Sequence, residues 1–303
     1  MTCRDLKSLN PTERKSFLDS FDEVLCDCDG VLWLMKEPIL GSPKAVQKLR
    51  SLGKKIRFVS NNCIYTYDQF YMLLEKLGYG NEKDSLVIPT MAIINHLKNI
   101  KFDREIFLLG SAGLRTELEN EGYKMAPKGP GLTEIKLPEI IETLKDNPNV
   151  GAVIVELDVN LNYINLMLAS IYLKRKDVIL LNGGSDKICP FSKDLNFIGP
   201  HYFQVLLEEF SGTKALHFAK PKELLAKYAC DKYKIKDPKR VLFVGDTLEQ
   251  DMKFASVNGF QKLLVFSGAV SKEELEKNKC VDLNPDYCLD TFGSIVDIVN
   301  STQ

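Results

Sequence analysis

Short apolar runs that end on polar or acidic residues alternate with segments whose apolar positions recur every three or four residues. The first run, "EVLCDCD" (23–29), reads as a buried strand finishing on Asp27 and Asp29. "SPKAVQKLRSLG" (42–53) reads as a helix, with Ser42 as N-cap, Pro43 at the first helical position, Val46 and Leu49 on one face, and Gly53 as the stop. "KKIRFVSNN" (54–62) is the next strand and "TYDQFYMLLEKLG" (66–78) the next helix. Strand–helix–strand units of this kind predict a parallel sheet covered on both faces. The pattern then restarts. "EIFLLG" (105–110), "GAVIVELD" (151–158) and "DVILLN" (177–182) read as three more buried strands, separated by the helical stretches "SAGLRTELENEG" and "YINLMLASIYLKR". After "LHFAKP" (216–221) come the helix "PKELLAKYACDKYK", the strand "RVLFVGD" (240–246), the helix "LEQDMKFASVNG" and the strand "KLLVFSG" (262–268). The expected class is α/β. Residues 97–211 are long enough to form a second α/β unit inserted into a first one made of 1–96 and 212–303.

Composition narrows the partners. The 303 residues carry 40 Lys and Arg against 41 Asp and Glu, a net charge of −1, with no long basic run. That argues against a nucleic acid or an anionic membrane surface as the main partner. No apolar run is long enough to cross a bilayer, and "MTCRDLKSLNPTERKSF" lacks the apolar core of a secretory signal. Eight cysteines are too sparse for a disulfide scaffold, so a reduced, cytoplasmic protein is expected. Three scattered histidines and no CxxC pair argue against a zinc site.

The strand ends carry the chemistry. One ends in Asp27 and Asp29, a second in Ser60, Asn61 and Asn62, a short third in Lys220, and a fourth in Gly245 and Asp246, with Asp251 a turn later. In a parallel sheet all carboxyl ends lie on one edge, where ligands bind. Clustered carboxylates repel unless a divalent cation sits among them, and few carboxylates with room for water and phosphate oxygens suit magnesium. A lysine, a hydroxyl and backbone amides suit a phosphate beside that metal. Each feature alone has a plainer meaning: a DxD is common, Ser60 and its asparagines form turns readily, and acidic residues favour a helix N-terminus. Their fixed order is what carries weight. Cys26 and Cys28 flank Asp27, yet core packing fits them better than redox sensing. Trp33, Tyr65, Tyr67 and Tyr71 read as packing or loop residues.

"DCDGVLW", "FVSNN", "AKP" and "GDTLEQD", in this order, resemble the four motifs of the haloacid dehalogenase superfamily of phosphatases. The tail "GVLW", the Asn-Asn pair and the long insert before Lys220 are similar to the branch containing 4-nitrophenyl phosphatase, phosphoglycolate phosphatase and pyridoxal phosphate phosphatase. The resemblance implies a Rossmann-like parallel-sheet core with a large inserted α/β cap domain. It implies a magnesium-dependent phosphomonoester hydrolase that works through an aspartyl-phosphate on small phosphorylated metabolites or aryl phosphates, such as 4-nitrophenyl phosphate or a phosphoglycolate-like compound. Asp27 would be the nucleophile. Asp29 would be the acid and base, with its backbone carbonyl on the metal. Gly30 would turn the chain, Ser60 and Lys220 would bind phosphate, Asn61 and Asn62 would lie beside the substrate, and Asp246 and Asp251 would complete the Mg2+ site. A homodimer formed through the cap is also implied. Two other functions compete: a phosphotyrosine phosphatase, which needs the same nucleophile, and a catalytically weak binding or scaffold protein, which the retained acidic residues and Lys220 oppose. A phosphotransferase would need an acceptor site, and none is legible. The sequence departs from the family pattern at Gln250 and in the cap stretch "LNGGSD", where Gly183 and Gly184 precede Ser185 and Asp186. These departures leave the hydrolytic residues intact and bear on the substrate.

Overall fold

The computed structural model describes residues 3–80, 84–131, 136–192 and 195–302. By contact the chain divides into two units, one of Met1–Ser60, Asp68–Val87 and Lys220–Gln303, the other of Asn61–Tyr67 and Ile88–Ala219. The first unit contains β1 (Arg4–Asp5), β2 (Glu23–Cys26), β3 (Trp33–Leu34), β4 (Glu37–Pro38), β5 (Lys55–Val59) and β6 (Leu86–Val87). The second contains β7 (Glu105–Leu109), β8 (Val150–Val155), β9 (Ile179–Asn182), β10 (Ile188–Ser192), β11 (Leu195–Ile198) and β12 (Ala215–His217). The chain then returns to the first unit for β13 (Val241–Gly245), β14 (Gln261–Val265) and β15 (Tyr287–Leu289).

In the first unit a seven-stranded parallel sheet runs in the order β1-β15-β14-β13-β2-β5-β6. From β2 the chain builds outward through β5 to β6; from β13 it builds the other way through β14 to β15. The direction of winding therefore reverses between the neighbours β2 and β13, and such a reversal opens a crevice at the carboxyl ends of the two strands. Both strands are sheathed in apolar neighbours: Val24, Leu25 and Cys26 are fully buried, as are Val241, Leu242, Phe243 and Val244. Burial on both faces is why these runs are continuously apolar instead of alternating.

The helix Ser42–Ser51 packs beside this sheet through Ala45, Val46 and Leu49. It starts after Gly41, which takes the left-handed conformation at φ 83°, so Ser42 is not the N-cap expected. The Ser42 hydroxyl lies instead against the carbonyl oxygens of Leu32, at 2.8 Å, and Ile39, at 2.7 Å. Gly53 ends the helix at φ 77°, where a side chain would be strained.

The second unit has its own four-stranded parallel sheet, β12-β9-β8-β7, and a β10–β11 hairpin. Phe107, Val153, Val155, Leu168, Leu180 and Leu207 form its core, with the helices Tyr163–Tyr172 and His201–Ser211 contributing. The short run before Lys220 is therefore not a strand of the first sheet. It is β12, an edge strand hydrogen-bonded to β9. The helix Pro89–Asn99, which begins before residue 97, and β12, which follows residue 211, both fall in the second unit. His96 of that helix lies 5.2 Å from Phe218, ring centre to ring centre.

Candidate active site

Asp27 follows the last residue of β2, and its amide donates to the Val244 carbonyl on β13. Asp246 follows the last residue of β13. The two carboxylates thus stand on adjacent strand ends at the winding reversal. Asp251 arrives from the wide helical turn Leu248–Met252, and carboxylate oxygens of Asp27, Asp246 and Asp251 lie within 4.8 Å of one another. Lys220, on the segment that re-enters the first unit, is 2% exposed and donates to Asp27 Oδ1 at 2.6 Å and to Asp251 Oδ1 at 2.8 Å.

The supports around this cluster explain its shape. Asp251 Oδ2 accepts from the amides of Asp246 and Thr247, both at 3.1 Å, and from Thr247 Oγ1 at 2.7 Å. Both oxygens of Asp251 are thereby engaged, which makes it a strut between Lys220 and the strand end. Asp246 Oδ2 accepts from the Ala269 amide at 2.7 Å. Three glycines leave room for these carboxylates. A Cβ on Gly30 or Gly268 would stand 2.2 Å or 1.9 Å from Asp246 Oδ2, and one on Gly245 would stand 2.2 Å from Asp251 Cβ. Gly30 is also at φ 82°, so it is required twice over.

Charge balance in the cluster is incomplete. Burial opposes the Lys220 ammonium, but Asp251 and Asp27 hold its pKa above the ordinary lysine range. Burial drives Asp27 well above the carboxylate range; Lys220 pulls it back, and Asp251 and Asp246 push it further. Burial and Asp251 push Asp246 up to about 7. One ammonium faces three carboxylates, and burial pushes Asp27 and Asp246 towards protonation. A divalent cation among the oxygens would favour the ionised form of both. The donor set is all oxygen, as hard cations prefer.

Ser60, buried, follows β5, which neighbours β2 in the sheet, so it stands at the same edge as Asp27. Asn61 and Asn62 belong by contact to the second unit. There Asn61 Nδ2 donates to Ser185 Oγ at 3.3 Å, and Asn62 Oδ1 accepts from the Ile64 amide at 3.0 Å in a local turn. The exposed Asp29 directs its carboxylate to Trp33, whose Nε1 donates to Oδ1 at 2.8 Å; its side-chain oxygens are not part of the acidic cluster. Cys26 and Cys28 are fully buried, and burial followed by the Asp27 charge raises both thiols well above their usual range. Sequence reasoning missed Thr247 and the Ala269 amide. Thr247 could have been read as the N-cap of the turn bearing Asp251; a backbone amide leaves no residue-type signal.

The model of the haloacid dehalogenase-like hydrolases matches residues 24–124, and a second model of the same kind of hydrolase matches 217–295. The chain is 29% identical over 296 residues to a 4-nitrophenylphosphatase of Schizosaccharomyces pombe, covering 96% of this chain and 98% of that one. It is 27% identical over 303 residues to a glycerol-3-phosphate phosphatase of Rattus norvegicus, with 95% and 94% covered. In fold it is similar to the crystal structure of a 4-nitrophenylphosphatase from Thermotoga maritima, with a TM-score of 0.77 at 23% identity over 92% of this chain and 98% of that one.

Proposed function

The chain belongs to the haloacid dehalogenase-like hydrolases, and within that family we propose that it is a magnesium-dependent phosphomonoester hydrolase acting through Asp27 on small phosphorylated metabolites and aryl phosphates. The observation that carries this reading is the Lys220 ammonium bridging Asp27 and Asp251 at the winding reversal, with Asp246 beside them.

The free Asp27 oxygen would attack phosphorus, forming an acyl-phosphate bond as the ester P–O bond breaks. Asp29 would give its proton to the departing oxygen, then take one from the water that attacks the acyl phosphate, which returns Asp27 and releases inorganic phosphate. Lys220 would orient Asp27 and offset phosphoryl charge. Ser60 would hydrogen-bond a phosphoryl oxygen. The carboxylates of Asp27 and Asp246, with the Asp29 carbonyl, would hold the divalent ion while Asp251 steadies them. When bound, that ion supplies charge neutralisation for two anions brought together and for the phosphoryl group in transfer. The second unit is assigned the part of a cap that selects substrates, and pairing of two copies through it is assigned as the oligomeric form. Residence in the cytoplasm is in keeping with eight free thiols.

The test is hydrolysis of 4-nitrophenyl phosphate with magnesium and with chelator, alongside mass spectrometry of acid-quenched enzyme. Expected are turnover only with the metal, and a phosphate adduct on the peptide carrying Asp27 that Asp27→Asn lacks. Full activity after rigorous chelation, or wild-type turnover by Asp27→Asn, would overturn the reading.

A further inference from the structure

Trp33 is the chain's single tryptophan. It is 2% exposed, with its indole held 5.9 Å from the rings of both Phe70 and Tyr79. Its main chain is fixed as well. The Gly30 amide donates to the Trp33 carbonyl at 2.8 Å, and the β3–β4 hairpin pairs Trp33 with Pro38. The floor below is fastened in turn: Ser42 Oγ and the Tyr79 hydroxyl both contact the Leu32 carbonyl. A buried ring packed against two other aromatic rings has little freedom to follow a partner. Its N–H points out of this apolar packing to the exposed Asp29, at 2.8 Å from Oδ1.

We propose that Trp33 is the positioning residue for Asp29, its buried indole holding the carboxylate in place for proton delivery to the leaving oxygen. This rests on the phosphatase reading given above. An exposed aspartate otherwise samples several rotamers, and a proton donor contributes only when it is aimed at the atom that needs the proton. A hydrogen bond to Oδ1 narrows that freedom. The indole suits the task because it is large enough to be buried while carrying one donor at its edge. The opposite assignment, that Asp29 merely satisfies a buried indole, gives the same contact but different kinetics.

Leaving groups separate the two. A nitrophenolate departs without a proton, whereas an alkoxide needs one. Trp33→Phe keeps the ring packing and deletes the N–H. Expected is a fall in kcat on glycerol 3-phosphate at least about tenfold larger than on 4-nitrophenyl phosphate, with KM for both nearly unchanged. An equal fall on both substrates, or none on either, overturns the proposal. A second measurement needs neither activity nor a core substitution. With one tryptophan, the indole N–H gives a single assignable NMR cross-peak, and Asp29→Ala at an exposed position should shift it upfield as its acceptor is lost. An unmoved peak overturns the proposal even where turnover is normal. Wild-type protein that hydrolyses no phosphate ester would instead overturn the phosphatase reading, while the cross-peak still decides whether Trp33 holds Asp29.

Discussion

Asp27 stands among charges that would not coexist there unaided, and each residue around it answers a separate part of that difficulty. Lys220 offsets one charge, Asp251 is consumed as a strut, and Asp246 accepts from the Ala269 amide, its carboxyl raised to about 7 chiefly by burial. Asp246→Asn should therefore weaken metal binding more than it harms the steps after binding. A magnesium titration of turnover should show the half-saturating concentration rising by about tenfold or more, a loss of at least roughly 1.4 kcal/mol in affinity. An unchanged titration would remove Asp246 from the metal site. The cysteines beside Asp27 allow a second test. Cys26 and Cys28 are buried and their thiols are held protonated, whereas Cys280 is exposed. Alkylation of native protein with iodoacetamide, read by peptide mass, should label Cys280 and spare Cys26 and Cys28 until the fold opens. The acidic and basic members of this site were legible because they are rare at the ends of apolar runs. The Trp33–Asp29 contact was not. It depends on a hairpin whose turn residues, Met35 and Lys36, adopt φ of 46° and 68°, and neither residue type announces that conformation.

The elements legible from the pattern were those long enough to show a period. β2, β5, β7, β8, β9, β13 and β14 have four to six residues each and lie in unbroken apolar runs. The two-residue strands β1, β3, β4 and β6 offer no period to read, and Lys220 was credited to the wrong sheet because an edge strand such as β12 looks like any short apolar run. One strand end in the second unit was overlooked for its chemistry. Glu156, just past β8, is 1% exposed, and its Oε1 has no hydrogen-bond partner among the described residues. Ser111 Oγ donates to Glu156 Oε2 at 3.1 Å and to the Cys63 carbonyl at 2.5 Å, so one hydroxyl proton is shared between two acceptors. Burial pushes the Glu156 pKa up to about 8, with Ser111 restraining the rise. The unfolded chain releases this proton near the ordinary value of 4.5, so between about 4.5 and 8 the folded state binds more protons. Stability of the second unit should fall as pH rises through that window, by up to about 1.4 kcal/mol per pH unit, and level off above it. Glu156→Gln should flatten the slope and stabilise the protein most at pH 8 to 9. Urea melts across this range would show it, and a slope unchanged in the variant would mean that another group titrates.

At the scale of the whole molecule, the residues proposed to hold phosphate and those that could bring two chains together lie on different parts of the sequence. The helix His201–Ser211 buries Gln204 and Leu207 but leaves Tyr202, Leu206 and Phe210 exposed, spaced four residues apart on one stripe. The next element, β12, is an edge strand with Leu216 exposed, and it is tied to the helix by the Ala215 amide donating to Glu208 Oε1 at 2.7 Å. An apolar helical stripe beside an edge strand is a costly surface for a solitary protein to keep in water. A two-fold axis would let the same stripe and edge meet their own copies, since such an interface needs only one self-complementary patch. Each copy must then bury on the order of 800 Å² for a stable dimer, which the three stripe residues alone do not supply, so neighbouring residues must join them. Replacing Leu206 and Phe210 together with glutamate would place like charges across the axis. Sedimentation equilibrium should give twice the 34.3 kDa chain mass for the wild type and the single-chain mass for the double variant. Because neither residue is near the Asp27 cluster in sequence or belongs to its unit, the Trp33 indole cross-peak should stay in place. A wild type that sediments as a single chain, or a double variant that remains paired, would remove this face from the assembly.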